Sequence, residues 1–367
     1  MSTTARASLK FSRSNEFRKT LNARVDGYFD DTGHSRRDLP HHFLKIFVIF
    51  SWFVGSYLLL VFAPLPVFGK VLAAISLGFA GAGMGFSVMH DAGHGAASSK
   101  PWVNRVLFCS LEILGGSSFL WNVKHNMVHH TYANVDGHDD DIDMGFLGRL
   151  APEQRHLPFH RAQHFYIWFL YGLLVLKWHL IDDFRMLLKG RIGERKIPAM
   201  KPSDIAIFVG GKIFFISYAF VIPTLIFGFL PVFAFYMIAS FVQGVTMATV
   251  FQLAHCVEEA DFPAAPEEHR FDHDWATHQV LTTVDFAQNS RFINWYVGGL
   301  NFQIEHHLFP RISHMHYPAL APLVRQTCEE FGLPYHVQPG FGHALRSHFR
   351  WLRRMGRPTA PSMATAG

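Results

Sequence analysis

FLKIFVIFSWFVGSYLLLVFA, residues 43–63, is apolar apart from Lys45, and about 20 consecutive apolar residues are what a helix needs to cross the hydrocarbon core of a bilayer. Pro64 and Pro66 close the stretch. Residues 71–89, VLAAISLGFAGAGMGFSVM, then return across the membrane, and their Gly and Ala residues are small enough to let neighbouring helices approach closely. A second apolar pair follows at residues 205–229 and 232–254, with Pro231 at the bend. The sequence therefore predicts an all-α integral membrane protein: four transmembrane helices in two hairpins, with the polar stretches 90–204 and 255–367 forming a helical cap. Phe165 to Leu180 is apolar but short and interrupted by Lys177 and His179, which suits an interfacial helix better than a fifth span.

Composition agrees. Charged residues make up 17% of the chain, below the quarter typical of soluble domains. Cys109, Cys256 and Cys328 form no CxxC pair, so neither a disulfide framework nor a thiolate zinc site is expected, as in a reducing compartment. The basic N-terminal arm, residues 1–42, shows no secretory signal. Arg and Lys crowd that arm, the central polar stretch and the tail, whereas the short turns hold essentially Lys70 alone. The positive-inside rule then puts both termini and both long polar stretches in the cytosol. Membrane orientation accounts for the net charge of +5 without nucleic acid as a partner. Residues 43–358 read as a single membrane domain, and 359–367 as a disordered tail.

The histidines cluster on one side of this frame. His90 and His94 in HDAGHG follow the second span; His125, His129 and His130 lie in HNMVHHTYAN; His255 ends the fourth span; His306 and His307 follow Gln303 in NFQIEHHLFPRISHMHYP. Residues four apart share a helix face, so His90 with His94, and His125 with His129, can each converge on one point. Adjacent pairs diverge by roughly 100° on a helix and suit two ions better than one. These imidazoles are too many for one centre, which predicts a histidine-rich dinuclear metal site. Nearby acids, Asp91, Asp139 and Glu305 among them, are read as acceptors that orient ligand N–H groups. His156, His160, His164, His179, His269, His273, His278, His336, His343 and His348 are read as interfacial polar residues instead.

HDAGH, HNMVHHTYAN and QIEHHLFP resemble the three histidine boxes of the integral-membrane fatty acid desaturases, and Gln303 in the third box resembles the front-end (Δ6/Δ5) group of acyl-lipid or acyl-CoA enzymes. The flanking residues are similar to bacterial Δ6-type members, and the likeness runs from about Leu44 to Pro339. It implies two non-haem irons, O2 as co-substrate, and removal of two hydrogens from a fatty acyl chain. The implied ligands are His90, His94, His125, His129, His130, His255, His306 and His307, with Gln303 in the place of a ninth histidine. In animal stearoyl-CoA relatives an Asn four residues before the lone histidine holds a metal-bound water; here that residue is Phe251, which leaves open how the second iron completes its shell. Oxidising an unactivated C–H bond needs a redox-active metal, which zinc is not, so iron is expected. Trp121, Phe251 and Trp295 are candidates to line an apolar acyl tunnel. With no HPGG haem motif in the chain, electrons are expected from a separate donor such as ferredoxin or cytochrome b5 with its reductase. The implied activity is insertion of a cis double bond on the carboxyl side of an existing one, in a linoleoyl-like chain at a bacterial inner membrane. A di-iron hydroxylase would use the same ligands. A metal transporter would instead need ionisable residues along the spans.

Overall fold

The computed structural model describes residues 9–358; the tail expected at 359–367 lies outside them. Helices follow one another as α1 (Glu16–Thr32), α2 (Pro40–Phe62), α3 (Val67–Gly93), α4 (Pro101–Ile113), α5 (Ser118–Tyr132), α6 (Pro158–Gly172) and α7 (Leu174–Lys189). Then come α8 (Pro202–Phe227), α9 (Phe229–His255), α10 (Trp275–Thr282), α11 (Arg291–Tyr296), α12 (Gln303–Leu308), α13 (Tyr317–Glu330) and α14 (Phe341–Met355). Strand is confined, among the described residues, to two short two-stranded pairings.

Four of these helices, α2, α3, α8 and α9, are long and apolar enough to cross a membrane. Two run past their predicted C-terminal ends: α3 continues through His90 to Gly93, and α9 ends on His255. Nothing between Met89 and Gly93 interrupts helical hydrogen bonding, so the histidines ride on the ends of rigid spans. The break between α8 and α9 falls at Gly228, whose φ of 76° is left-handed, and not at Pro231. Proline in a first helical turn has no N–H bond to lose, so Pro231 sits inside α9.

Small residues set the packing, as the sequence suggests. A Cβ at Gly78 of α3 would stand 2.5 Å from the Ala239 carbonyl oxygen of α9, so larger residues there would drive the two helices apart. By contrast, only 6% of the apolar window of α8 is buried. Its exposed Ile205, Val209, Ile213 and Phe214 form an apolar flank that suits lipid rather than water.

Two further helix pairs are bent: α4 with α5 by 109°, and α6 with α7 by 56°. The single interfacial helix expected at Phe165–Leu180 is therefore the middle of a broken pair, and it leaves Phe165, Phe169, Leu180 and Ile181 exposed. The N-terminal arm forms α1, whose stripe of Phe17, Leu21, Val25 and Phe29 is buried at the i, i+4 spacing of an amphipathic helix. That stripe packs in one core with Ile304 and Leu308 of α12.

Candidate metal centre

Each histidine-bearing segment arrives on an element whose local structure aims it. α3 widens into a π-helical turn over Gly85–Met89 just before His90, and α5 is π-helical over Asn122–His129; such wide turns gather at functional sites. α12 is short and buried, and the run before it folds back on α3. At Gly298, φ is 64° and a Cβ would meet the Phe86 carbonyl oxygen at 2.5 Å, so only glycine lets the two backbones approach this closely.

These elements bring all eight histidines together. His90, His94, His125 and His306 form one group, and His129, His255 and His307 a second; within each, one ring nitrogen per residue lies within 4.8 Å of the others. His130 stands between them: its Nε2 is 3.2 Å from that of His125 and 3.0 Å from that of His306, while its ring stacks on His307. The adjacent pair His306 and His307 divides between the groups, as helix geometry predicts. His125 and His129 contribute to different groups, yet their rings stack side by side, 5.1 Å apart, and both converge with Asp141 in a third cluster. The Gln303 amide nitrogen lies 3.0 Å from His255 Nε2, at the edge of the second group.

Chemically, this arrangement suits metal ions. His90 Nε2 and His125 Nε2 face each other at 3.1 Å, and a neutral imidazole offers one donor at most. Among the described residues, His94 Nε2 and His307 Nε2 are buried with no hydrogen-bond partner, which is costly unless something accepts their lone pairs. Burial pushes His306 and His307 well below the ordinary histidine pKa, into the neutral form that ligates a metal. For His129 burial acts the same way, but Asp139 outweighs it and holds the pKa above the ordinary value.

The partners that fix the rings are partly those expected. Asp139 accepts from His129 Nδ1 at 3.0 Å and from the Asn134 backbone N–H. Asp141, in an ion pair with Lys124 at 2.7 Å, lies 3.5 Å from the same His129 nitrogen. Gln279, which no motif marks, accepts from His307 Nδ1 at 2.8 Å. Asn134 donates to the backbone carbonyl of His255 and so ties α9 to the segment after α5.

Asp91 and Glu305 differ from expectation: among the described contacts neither bonds one of the eight histidines. Each is next in sequence to one of them, and consecutive helical residues point about 100° apart. Glu305 meets the Tyr335 hydroxyl at 2.9 Å, beside Asp285. Asp91 accepts from His314 Nδ1 at 2.7 Å and lies 3.6 Å from His42 Nε2, while Lys45 Nζ donates to His314 Nε2 at 2.8 Å. His314 thus bridges Asp91 and the buried Lys45 through its two ring nitrogens, and with His42 they form a buried polar network.

Trp121 lies flat on His125, ring centres 4.3 Å apart, and Phe251 stands between Phe86 and His90. Trp295 does not join them; it is 39% exposed and sits near the Lys45 ammonium. Of the histidines read as interfacial, His160, His179, His278 and His348 are buried, each bonded to a carbonyl or hydroxyl oxygen.

The sequence profile of the Fatty acid desaturase family matches residues 60–339, which takes in all eight clustered histidines. The chain belongs to the fatty acid desaturase family. This desaturase is 40% identical over 351 residues to the sn-1 linoleoyl-lipid 6-desaturase of Synechocystis sp., covering 95% of this chain and 98% of that one. It is equally similar, 40% over 355 residues, to the sn-1 linoleoyl-lipid 6-desaturase of Arthrospira platensis, with 96% of each chain covered. The acyl-lipid (8-3)-desaturase of Physcomitrium patens is 38% identical over 349 residues, 93% of this chain and 72% of that one. As a desaturase the protein is an oxidoreductase, and its buried histidine groups are compatible with a metal centre.

Proposed function

We propose that the protein is an O2-dependent, Δ6-type acyl-lipid desaturase that acts on linoleoyl-like chains through two non-haem irons. The convergence of two groups of buried imidazoles carries this reading, together with the similarity to linoleoyl-lipid 6-desaturases. His90, His94, His125 and His306 would hold one iron, His129, His255 and His307 the other, with His130 between them and Gln303 beside the second. Two irons there supply the O2 activation and C–H oxidation for which side chains have no chemistry.

What the chain itself contributes is orientation and exclusion of water. Asp139 and Gln279 hold the Nδ1 protons of His129 and His307, so the opposite nitrogens present their lone pairs to a metal. Trp121 and Phe251 wall the first group with apolar surface, which suits a methylene chain and keeps bulk water off the reacting carbon. An apolar cavity of about 280 Å³ between α2, α8 and α9, lined by Tyr57, Phe215 and Tyr236 among others, offers hydrocarbon-lined room within the spans, although none of the eight histidines borders it.

In this reading the four spans form two hairpins of a single membrane domain in a bacterial inner membrane. The distribution of Arg and Lys supports cytosolic termini and a cytosolic cap of helices over the metal centre. A separate one-electron donor such as ferredoxin, or cytochrome b5 with its reductase, completes the reaction.

The test is the fatty acid profile of a host that expresses the protein with ferredoxin and its reductase and is fed linoleate, with His306→Ala as control. A new acid two mass units lighter, with its added double bond at carbon 6 and absent from the control, is the expected product. A gain of one oxygen instead would make the protein a hydroxylase.

A further inference from the structure

A cleft on the described surface borders the histidine centre at His94. It has a volume of about 480 Å³ and runs from His94 outward between α4 and the start of α8, past Asn104 and Glu112, to Arg37, Arg105 and Arg311. At its inner end His94 belongs to the first histidine group, and the buried Glu112 Oε2 has no hydrogen bond among the described residues. At the outer end Arg37 donates through Nε to the Arg311 carbonyl oxygen at 3.0 Å, which sets the two residues side by side. Neither guanidinium forms an ion pair among the described residues, whereas Arg105 lies 3.4 Å from Asp204 and so links the two flanking helices.

The flanks show from which side this cleft is approached. Trp102 and Val106 on α4 and Ile205 and Val209 on α8 are exposed apolar residues on the elements that form the mouth. Tryptophan beside cationic side chains is the pattern of a membrane–water boundary. A mouth at that level admits a chain sideways from the bilayer, while a soluble thioester would approach from water and need no apolar flank. Two uncompensated guanidinium groups lining one cleft match phosphate oxygens, which each can grip bidentately.

We infer that this cleft is the headgroup site of the desaturase: Arg37 and Arg311 bind the phosphate of a membrane glycerophospholipid while its acyl chain passes His94 toward the metal centre. The inference rests on the desaturase reading and names the carrier of its substrate. Phosphate could also come from the nucleotide of an acyl-CoA, so the test separates the two sources.

Iron-loaded protein in nanodiscs, with ferredoxin and reductase, is given dilinoleoyl phosphatidylglycerol, a neutral dilinoleoyl galactosylglycerol or linoleoyl-CoA. Wild type, Arg37→Gln/Arg311→Gln and the remote surface control Arg346→Gln are compared. The expected result is preference for phosphatidylglycerol and a fall in its kcat/KM of at least about tenfold in the double variant, the loss of one charge-assisted hydrogen bond. Turnover of the neutral lipid and the Arg346→Gln control should change little. Equal use of the neutral lipid, or an unchanged double variant, overturns the headgroup site; arginine-dependent preference for linoleoyl-CoA overturns the lipid source. Retention of phosphatidylglycerol in native mass spectra reports the site apart from catalysis. Arginine-dependent retention without any desaturation would keep the site and reject the proposed reaction instead.

Discussion

The side-chain amide nitrogen of Gln303 lies 3.0 Å from His255 Nε2, and the buried amide oxygen has no hydrogen-bond partner among the described residues. Gln303 therefore stands where the second histidine group is least complete. Replacement by Ala should lower product formation at least about tenfold, the scale of losing a group that supports a metal ligand. Gln303→His, which restores an imidazole at that place, should retain measurable turnover. Product per milligram of protein, read by gas chromatography, checks both, and an Ala variant as active as wild type would remove Gln303 from the site.

His306 and His307 divide between the two groups, so each should govern one metal. His306→Ala and His307→Ala should each give a lower iron-to-protein ratio by elemental mass spectrometry and no detectable product, with the protein still inserted in the membrane. Treatment of wild type with a chelator should abolish activity. Ferrous iron should restore it and zinc should not, because zinc has no redox chemistry.

Asp91 joins the end of α3 to His314 and faces Lys45 through it. Asp91→Asn leaves the buried Lys45 ammonium uncompensated and should destabilise the fold by about 3–5 kcal/mol. Adding Lys45→Met should recover much of that loss, since removing both charges leaves neither unpaired. Thermal unfolding midpoints of the two single variants and the double variant give the coupling; additive effects would show that the two groups act independently.

Acid should destabilise the protein through buried histidines outside the spans. Burial lowers His348 to about 4 from an ordinary value of 6.5, against a smaller opposing effect of its bond to the Cys256 carbonyl oxygen. The unfolded chain binds this proton near pH 6.5 and the folded chain only near pH 4, so stability falls as pH drops through that window and is flat above it. His348→Gln should weaken this dependence by one proton, measured as unfolding midpoint against pH from 4 to 8. An unaltered slope would mean that His348 is not buried neutral.

Much of this protein is written locally in its chain. Long apolar runs such as residues 43–63 determine spans wherever they occur, because the bilayer leaves a backbone few ways to satisfy its hydrogen bonds. The spacing of His90 with His94, and the adjacency of His306 with His307, already implied convergent and divergent ligands on helices. Tertiary structure decided what depends on elements far apart in sequence. It placed Asp141 between His125 and His129, and it turned Asp91 and Glu305 away from the metal centre into networks with His314 and Tyr335. It supplied Gln279 to His307 across 28 residues of chain and left Trp295 on the surface. It also buried histidines that look interfacial, since a partner carbonyl such as that of Cys256 for His348 is visible only once the chain has folded around it. Hydrophobic period and local spacing fix elements and the faces they present, whereas the partner of a buried polar group depends on which remote segment packs against it.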